Sequence, residues 1–173
     1  MPEPAGPRGE VAALVAVQSS LAGRPGVLST ARGMSHFGEH SIGWVIVALL
    51  GALLNERRRR QWLLAAAGTF AAHAAAVVVK RIVRRKRPHD PAVAVNVGTP
   101  SALSFPSAHA TSTTAAAILM GRAIGVPLTP VLVPPMALSR LVLGVHYPSD
   151  VVFGVALGAG VARLALWLDR KSR

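Results

Sequence analysis

The chain has 173 residues, of which 51% are hydrophobic, and it carries a formal net charge of +12 at pH 7. Long apolar runs alternate with short basic clusters such as the arginines at 57–60, a pattern typical of a multi-pass membrane protein with charged loops. A nucleic-acid-binding protein would carry its positive charge along a solvated face, so we expect no nucleic-acid partner. The absence of cysteine from the sequence excludes disulfides and thiolate metal sites.

The N-terminal part of the chain is expected to be disordered over residues 1–9, which contain Pro2, Pro4 and Pro7. Residues 10–22 predict a short amphipathic helix, which is too short to span a bilayer. Such a helix either lies at the membrane surface or packs on the other helices. Its predicted apolar face consists of Val11, Leu14, Val15 and Ala22.

Five apolar segments follow and predict five spanning helices, which cover about residues 34–54, 62–79, 107–121, 129–145 and 151–168. The expected fold is therefore an all-α, polytopic membrane helix bundle with a short N-terminal amphipathic helix, and residues 10–173 form a single domain. The prolines at 134 and 135 are expected to kink the fourth span. Gly154, Gly158 and Ala162 share one face of the fifth, where they would allow close helix packing.

Three polar motifs lie beside these spans. They read Lys80-x6-Arg87-Pro88, Pro106-Ser107-Ala108-His109 and Ser139-Arg140-x5-His146-x3-Asp150. The Lys80 motif follows the second predicted span, and the Ser107 motif begins the third. The Ser139 motif joins the fourth span to the fifth. All three motifs are therefore expected at one membrane face. Lys and Arg are distributed evenly between the two faces, so the orientation of this face stays open.

The residue types in these motifs suit the transfer of a phosphate group. Lys80, Arg87 and Arg140 supply positive charge, and Ser107 supplies a hydroxyl at the start of a predicted helix whose free backbone N–H groups attract anions. Asp150 lies four residues after His146 and could hold one imidazole nitrogen while the other acts as a nucleophile. His109, in the first turn of its helix, could protonate the leaving group. With these cations in place no metal or other cofactor is expected.

In order and spacing these motifs resemble the signature of the type 2 phosphatidic acid phosphatase superfamily, K-x6-RP, PSGH and SR-x5-H-x3-D, which also includes the vanadium haloperoxidases. The resemblance implies that His146 is the nucleophile that forms a phosphohistidine, that Asp150 orients it and that His109 is the general acid. It also implies that Lys80, Arg87, Ser107 and Arg140 bind phosphate. The one departure is Ala108, where the family usually has glycine; alanine retains the backbone N–H.

A narrower resemblance concerns the small size, the Ala/Arg-rich composition and residues 36–40 (HFGEH). In these the chain is similar to the actinobacterial enzymes that dephosphorylate decaprenylphosphoryl-5-phosphoribose during synthesis of arabinogalactan precursors for the cell wall. The resemblance implies a phosphomonoester hydrolase of the plasma membrane whose substrate is a polyprenyl-linked phosphate lipid. The alternatives are a phosphatase for polyprenyl diphosphate or phosphatidylglycerophosphate, a vanadium haloperoxidase, and a non-catalytic scaffold that binds anionic lipid. The oligomeric state is left open.

Several polar residues outside the motifs carry competing interpretations. Glu39 either pairs with the basic cluster at 80–87 or, with His36 or His40, binds sugar hydroxyls of the substrate. His36 and His40 have the spacing of a zinc pair, but no third ligand is evident, so we expect no metal. Arg81 is expected to be a lipid anchor, and the basic residues at 84–86 are expected to attract anionic headgroups. His73 is expected to be a helix contact rather than a ligand.

Overall fold

The computed structural model describes residues 8–172 and confirms the all-α membrane fold, since these residues form seven α-helices and no strand beyond one isolated bridge between Lys86 and Leu103. Most of the segment predicted to be disordered, residues 1–7, lies outside the described range, and Gly9 already begins the first helix. The helices are α1 (Gly9–Leu21), α2 (Val27–Gly38), α3 (Ile42–Leu54), α4 (Arg59–Val83), α5 (Ala108–Ile124), α6 (Thr129–Val142) and α7 (Pro148–Lys171).

Three helical stretches of the described chain are long and apolar enough to cross a membrane, namely Val27–Leu54, Glu56–Val83 and Pro148–Lys171. At 17 and 14 residues, α5 and α6 fall short of the length that a lone span needs. Because α5 packs between α4 and α7 and is almost wholly buried, protein rather than lipid surrounds it. The count of five spans therefore stays a prediction, although each of the five predicted segments contains a helix.

Small residues let α7 approach α5 closely, as the sequence pattern predicts. Gly154, Gly158 and Ala162 are all buried on one face of α7. A Cβ atom on Gly154 would lie 2.7 Å from the Ser107 carbonyl oxygen, and one on Gly158 would collide with the Thr111 carbonyl oxygen. The contact therefore requires glycine at both positions. It holds α7 against the start of α5, and so brings the third motif, at the start of α7, close to the second motif, at the start of α5.

The predicted first span is wrong in its start and its continuity. The helix begins at Val27, not near residue 34, and a 3₁₀ turn over Glu39–Ser41 separates α2 from α3. His40 and Ser41 both adopt left-handed backbone conformations, with φ of 50° and 61°. Two such residues in succession cannot continue a right-handed helix, so the chain changes direction at this turn.

Helix α1 packs on the bundle, which decides between the two interpretations of this segment. Its Gln18 side chain is buried and donates to the carbonyl oxygens of Ala94, at 2.6 Å, and Val142, at 3.0 Å. Its Glu10 carboxylate accepts from Arg85 at 2.6 Å and from the backbone N–H of Ser149 at 2.8 Å. This helix therefore ties together the long loop, the end of α6 and the start of α7.

Further boundaries differ from the sequence expectation. Helix α4 extends beyond the predicted 62–79 at both ends, because the charged residues that flank its apolar core remain helical until Arg84 adopts a φ of 55°. Helix α6 ends at Val142 rather than 145, and it runs through Pro134 and Pro135 as one helix. Residues between α4 and α5 form the long loop, which hydrogen bonds such as Asn96 N–H to Leu143 O hold against the bundle.

The packing of α7 on α5 predicts a sharp difference between two glycines of the same helix. Gly158→Ala should lower the free energy of unfolding by about 1–3 kcal/mol, because the added methyl overpacks the contact with Thr111. Gly160→Ala is the matched control, since no atom lies within 4 Å of a Cβ built there. Thermal unfolding of both variants in detergent measures the difference, and equal melting temperatures would contradict the proposed close contact.

The position of Glu10 predicts a pH-dependent contribution to stability. Burial alone would raise the pKa of Glu10, but the hydrogen bonds from Ser149 and Arg85 outweigh it and the net pKa is lowered from 4.5. A carboxylate with a depressed pKa in the folded protein stabilises it above the unfolded pKa and loses this effect as the pH falls through the folded pKa. Glu10→Gln should thus melt at a lower temperature than wild type at pH 7, and the gap should narrow below about pH 4.5. A gap that is independent of pH would refute the ion pair's role.

Candidate active site

The three motifs converge on one cavity of about 300 Å³ at the end of the bundle where α4 ends and α5 and α7 begin. Five of the seven motif residues line it: Lys80, Arg87, His109, Arg140 and His146. Ser107 and Asp150 are both fully buried. Asp150 lies directly behind the lining, against His146. The structure thus brings together all seven side chains that the motifs single out.

Two of the cations are held by backbone carbonyl groups. The Lys80 ammonium donates to the carbonyls of Leu103, at 3.0 Å, and Ser104, at 3.3 Å. Arg87 donates from Nε to Ser101 O at 2.8 Å and from Nη1 to Val145 O at 2.6 Å. Burial lowers the pKa of Arg87 to about 10, so its guanidinium is still charged at neutral pH. Carbonyl oxygens orient these cations without neutralising them.

Arg140 has hydrogen-bond donors that the described residues leave unused. Its side chain is 1% exposed, and Nη2 donates to Ser35 Oγ at 3.3 Å. Its Nε and Nη1 atoms are buried and have no hydrogen-bond partner among the described residues. A buried guanidinium with two unused donors is costly, and an anion with two oxygens would satisfy both at once.

The surroundings of His146 define its tautomer. Nε2 lies 3.2 Å from Arg87 Nη1, and because a guanidinium only donates, Nε2 must carry a lone pair. Nδ1 therefore carries the proton, and it faces Asp150 Oδ2 at 3.6 Å, slightly longer than a hydrogen bond. Burial, with the positive charges of Arg87, Arg140 and Lys80, holds the pKa of His146 well below its usual value. The ring is thus neutral, with its lone pair directed to the cations of the cavity.

Asp150 is fixed by contacts on both of its oxygens. Oδ2 accepts from the backbone N–H of Tyr147 at 2.8 Å, where it caps the first turn of α7, and Oδ1 accepts from Arg85 at 3.0 Å. The Arg85 guanidinium lies 4.0 Å from the centre of the Tyr147 ring and also binds Glu10. Residues 146 and 147 are not helical, so the His146–Asp150 proximity results from this cap rather than from one helical turn.

The second motif forms the start of α5, as predicted. Ser107 is the N-cap residue, and its Oγ accepts from the backbone N–H of Ala110 at 3.4 Å. His109 Nε2 donates to the Ser35 carbonyl at 2.9 Å, so this nitrogen carries a proton. Gly38 makes room for that ring, because a Cβ at position 38 would lie 2.7 Å from His109 Cδ2. The glycine of the 36–40 segment thus has a packing role at the site.

The other candidate residues line the same cavity on the side of α2 and the 3₁₀ turn: His36, Glu39 and His40. Within residues 8–172, Glu39 forms no ion pair with the basic cluster at 80–87; its carboxylate lies 4.0 Å from His36 Nδ1. Two residues of α4, His73 and Arg81, also line the cavity. No group of three or more His, Cys, Asp or Glu residues within 8–172 has the arrangement of a metal site.

Sequence reasoning missed three residues around the site. Arg85 was interpreted as a headgroup contact, yet it is the ion-pair partner of Asp150 and Glu10. Arg81 was interpreted as a lipid anchor and His73 as a helix contact, yet both line the cavity. The sequence does carry a signal for His73 and Arg81. Residues 73, 77, 80 and 81 follow i, i+4, i+7 and i+8 spacing, so they share one helical face with the motif residue Lys80. For Arg85 no local signal exists.

The chain is similar to proteins of known name over most of its length. The chain is 73% identical over 158 residues to a decaprenylphosphoryl-5-phosphoribose phosphatase of Mycobacterium tuberculosis, which covers 91% of this chain and 89% of the relative. It is 69% identical over 148 residues to the protein of the same name from Mycolicibacterium smegmatis, with 86% and 82% coverage.

A solved structure shares the fold. The crystal structure of a transmembrane PAP2 type phosphatidylglycerolphosphate phosphatase from Bacillus subtilis matches with a TM-score of 0.72 at 22% identity, and the match covers 94% of this chain and 87% of that one. The family model of the PAP2 superfamily matches residues 61–173, the region that contains all three motifs. The chain therefore belongs to the PAP2 superfamily, the type 2 phosphatidic acid phosphatases.

Proposed function

We propose that this protein is a metal-independent membrane phosphatase that removes the 5-phosphate from decaprenylphosphoryl-5-phosphoribose. The observation that carries the proposal is the pair of unused buried donors on Arg140, beside the lone pair of His146 in one cavity. A terminal phosphate would accept from Arg140 and present its phosphorus to His146 Nε2. The substrate class is supported by the relatives at 73% and 69% identity, which both carry that enzyme name.

The first chemical step transfers the phosphoryl group to the protein. His146 Nε2 donates its lone pair to phosphorus, and the bond between phosphorus and the ribose O5 breaks with its electron pair on oxygen. His109 enters this step as an imidazolium, which the negative charge of the bound phosphate favours, and it carries a second proton on Nδ1 beside the one that Nε2 donates to the Ser35 carbonyl. The departing O5 takes the Nδ1 proton, so the product leaves as an alcohol and His109 becomes neutral. Lys80, Arg87 and Arg140 would neutralise the charge on the three remaining phosphate oxygens, and the Ser107 hydroxyl would donate a hydrogen bond to one of them.

The second step hydrolyses the phosphohistidine. Water attacks phosphorus and passes a proton to the now neutral His109, and the bond from phosphorus to Nε2 breaks to release inorganic phosphate. Asp150 stabilises the positive charge that the His146 ring carries in the intermediate, through the proton on Nδ1. Because Arg85 already pairs with Asp150, it would keep this carboxylate ionised and in place.

The pentose is proposed to lie on the side of the cavity formed by α2 and the 3₁₀ turn. Glu39 and His36 line that side and offer one carboxylate and one imidazole to sugar hydroxyls. The polyprenyl chain of the substrate would extend from this side of the cavity into the bilayer. Substrate and enzyme would thus lie in the same membrane, which we propose to be the plasma membrane of an arabinogalactan-producing cell. The proposed partners of the protein are thus this lipid and the membrane. Residues 10–173 are proposed to act as one phosphatase domain.

The proposal is tested by a substrate panel with the purified protein in detergent. We expect phosphate release from decaprenylphosphoryl-5-phosphoribose to exceed that from polyprenyl diphosphate, phosphatidylglycerophosphate and phosphatidic acid, and to persist in EDTA. His146→Ala should lower kcat by roughly 1,000-fold or more, because the nucleophile is lost. Arg57→Ala is the control, since this exposed residue lies at the opposite end of the bundle. Equal turnover of His146→Ala and wild type, or loss of activity in EDTA, would refute the mechanism.

The role of His109 predicts a dependence on the leaving group. His109→Gln should lower the single-turnover rate of phosphoryl transfer from the ribose ester by about 100-fold or more, because an alkoxide needs protonation to leave. On p-nitrophenyl phosphate the loss should be below about tenfold, since nitrophenolate leaves without a proton. Single-turnover release of the leaving group gives the comparison, because it isolates this step from the later hydrolysis in which His109 also takes part. Equal losses on both would assign His109 to phosphate binding or to packing on Ser35.

A further inference from the structure

A pair of histidines lies in the same cavity, outside the three motifs. His40 comes from the 3₁₀ turn before α3 and His73 from the middle of α4, and their ring centroids are 5.8 Å apart. Both line the cavity, and His73 Nδ1 is buried without a hydrogen-bond partner in the described part of the chain. Ionisable side chains within a spanning helix are costly unless they serve a ligand.

The distance along α4 separates this pair from the phosphate-binding end. His73 and Lys80 are seven positions apart on the face of α4 that borders the cavity, with Val77 between them. Seven residues of helix correspond to about 10 Å along the axis. The cavity thus has a cationic end at Lys80, Arg87 and Arg140 and a histidine end about 10 Å deeper in the bundle.

The backbone of the turn holds His40 in an unfavourable conformation. Neither His40 nor Ser41 is glycine, yet both have positive φ, and the Ser41 side chain is fully buried. Left-handed non-glycine residues cost about 1 kcal/mol or more each and persist where the surrounding structure imposes them. Such strain is found where a side chain must be presented to a ligand, and here it brings the His40 ring next to His73.

We propose that His40 and His73 bind the phosphodiester that joins the pentose to the lipid. This inference rests on the proposed function, because the proposed substrate carries two phosphate groups, a terminal monoester and an internal diester. About seven covalent bonds separate the two phosphorus atoms, which corresponds to roughly 8 Å when the linkage is extended. That length matches the separation of the two ends of the cavity. Imidazole N–H groups donate to the non-bridging diester oxygens, whether the rings are neutral or charged.

The pair would also determine which phosphate is cleaved. With the diester held at the histidine end, only the monoester reaches His146 Nε2 and the three cations. Lys80, Arg87 and Arg140 together suit the greater charge of a monoester, whereas two imidazoles suit the single charge of a diester. The lipid would then remain attached to the product.

The test compares two substrates that differ only at the internal linkage. One is a short-chain prenylphosphoryl-5-phosphoribose, and the other has a neutral methylphosphonate in place of the diester. Each is measured with the full-length wild type, His73→Asn, His73→Ala and His40→Ala. His89→Ala is the matched histidine control, because His89 is exposed and does not line the cavity.

For the charged diester, KM should rise about tenfold or more in both alanine variants, with kcat nearly unchanged, because each loses a hydrogen bond to a charged group. His73→Asn should restore part of the loss through its amide donor. For the methylphosphonate substrate the wild type itself should show the raised KM, and the variants should add less than about twofold. KM changes of equal size on both substrates would assign His40 and His73 to sugar binding or to folding. Unchanged KM values would show that the two histidines do not bind the substrate. Either result overturns the proposal. Failure of the proposed function is distinct, since wild type would then hydrolyse neither substrate.

Discussion

Lys80, Arg87 and Arg140 share one cavity, and no carboxylate within residues 8–172 forms an ion pair with any of them. Lys80 and Arg87 are held by carbonyl oxygens, Arg140 has two buried donors without partners among the described residues, and the nearby Asp150 is already paired with Arg85. Positive charge that is buried without compensation is unfavourable in the empty protein. The same arrangement favours an anion with several oxygens, because binding one satisfies the unused donors without rearrangement of the cations.

The bundle positions this charge through helix ends rather than helix middles. Lys80 lies in the last turn of α4, Ser107 caps α5, Arg140 lies in the last turn of α6, and Asp150 caps α7. The close contact between α5 and α7, which requires Gly154 and Gly158, brings two of these ends together. Helix α1 and Glu10 then fix the loop and the start of α7 from outside. Stability and site geometry thus depend on the same contacts, so a change in helix packing is expected to move catalytic groups.

Local patterns predict much of this structure, and long-range contacts account for what they miss. Apolar runs indicate a helix in each of the five predicted segments, because helix periodicity is a property of short segments. The order of the motifs along these helices indicates one shared end of the bundle. The break at His40 was missed because two left-handed non-glycine residues have no sequence signature. Arg85 was misinterpreted because its partners Glu10 and Asp150 are 75 and 65 residues away. The role proposed for His73 depends on the same break, because the break places His40 beside it.

A crystal structure of the protein with vanadate bound tests the central claim most directly, since vanadate imitates a phosphoryl group in transfer. The charge arrangement predicts vanadium within bonding distance of His146 Nε2, with oxygens accepting from Arg140 Nε and Nη1 and from Lys80 and Arg87. The site would be wrong if vanadate bound elsewhere, or bound in this cavity while both Arg140 donors stayed without a partner.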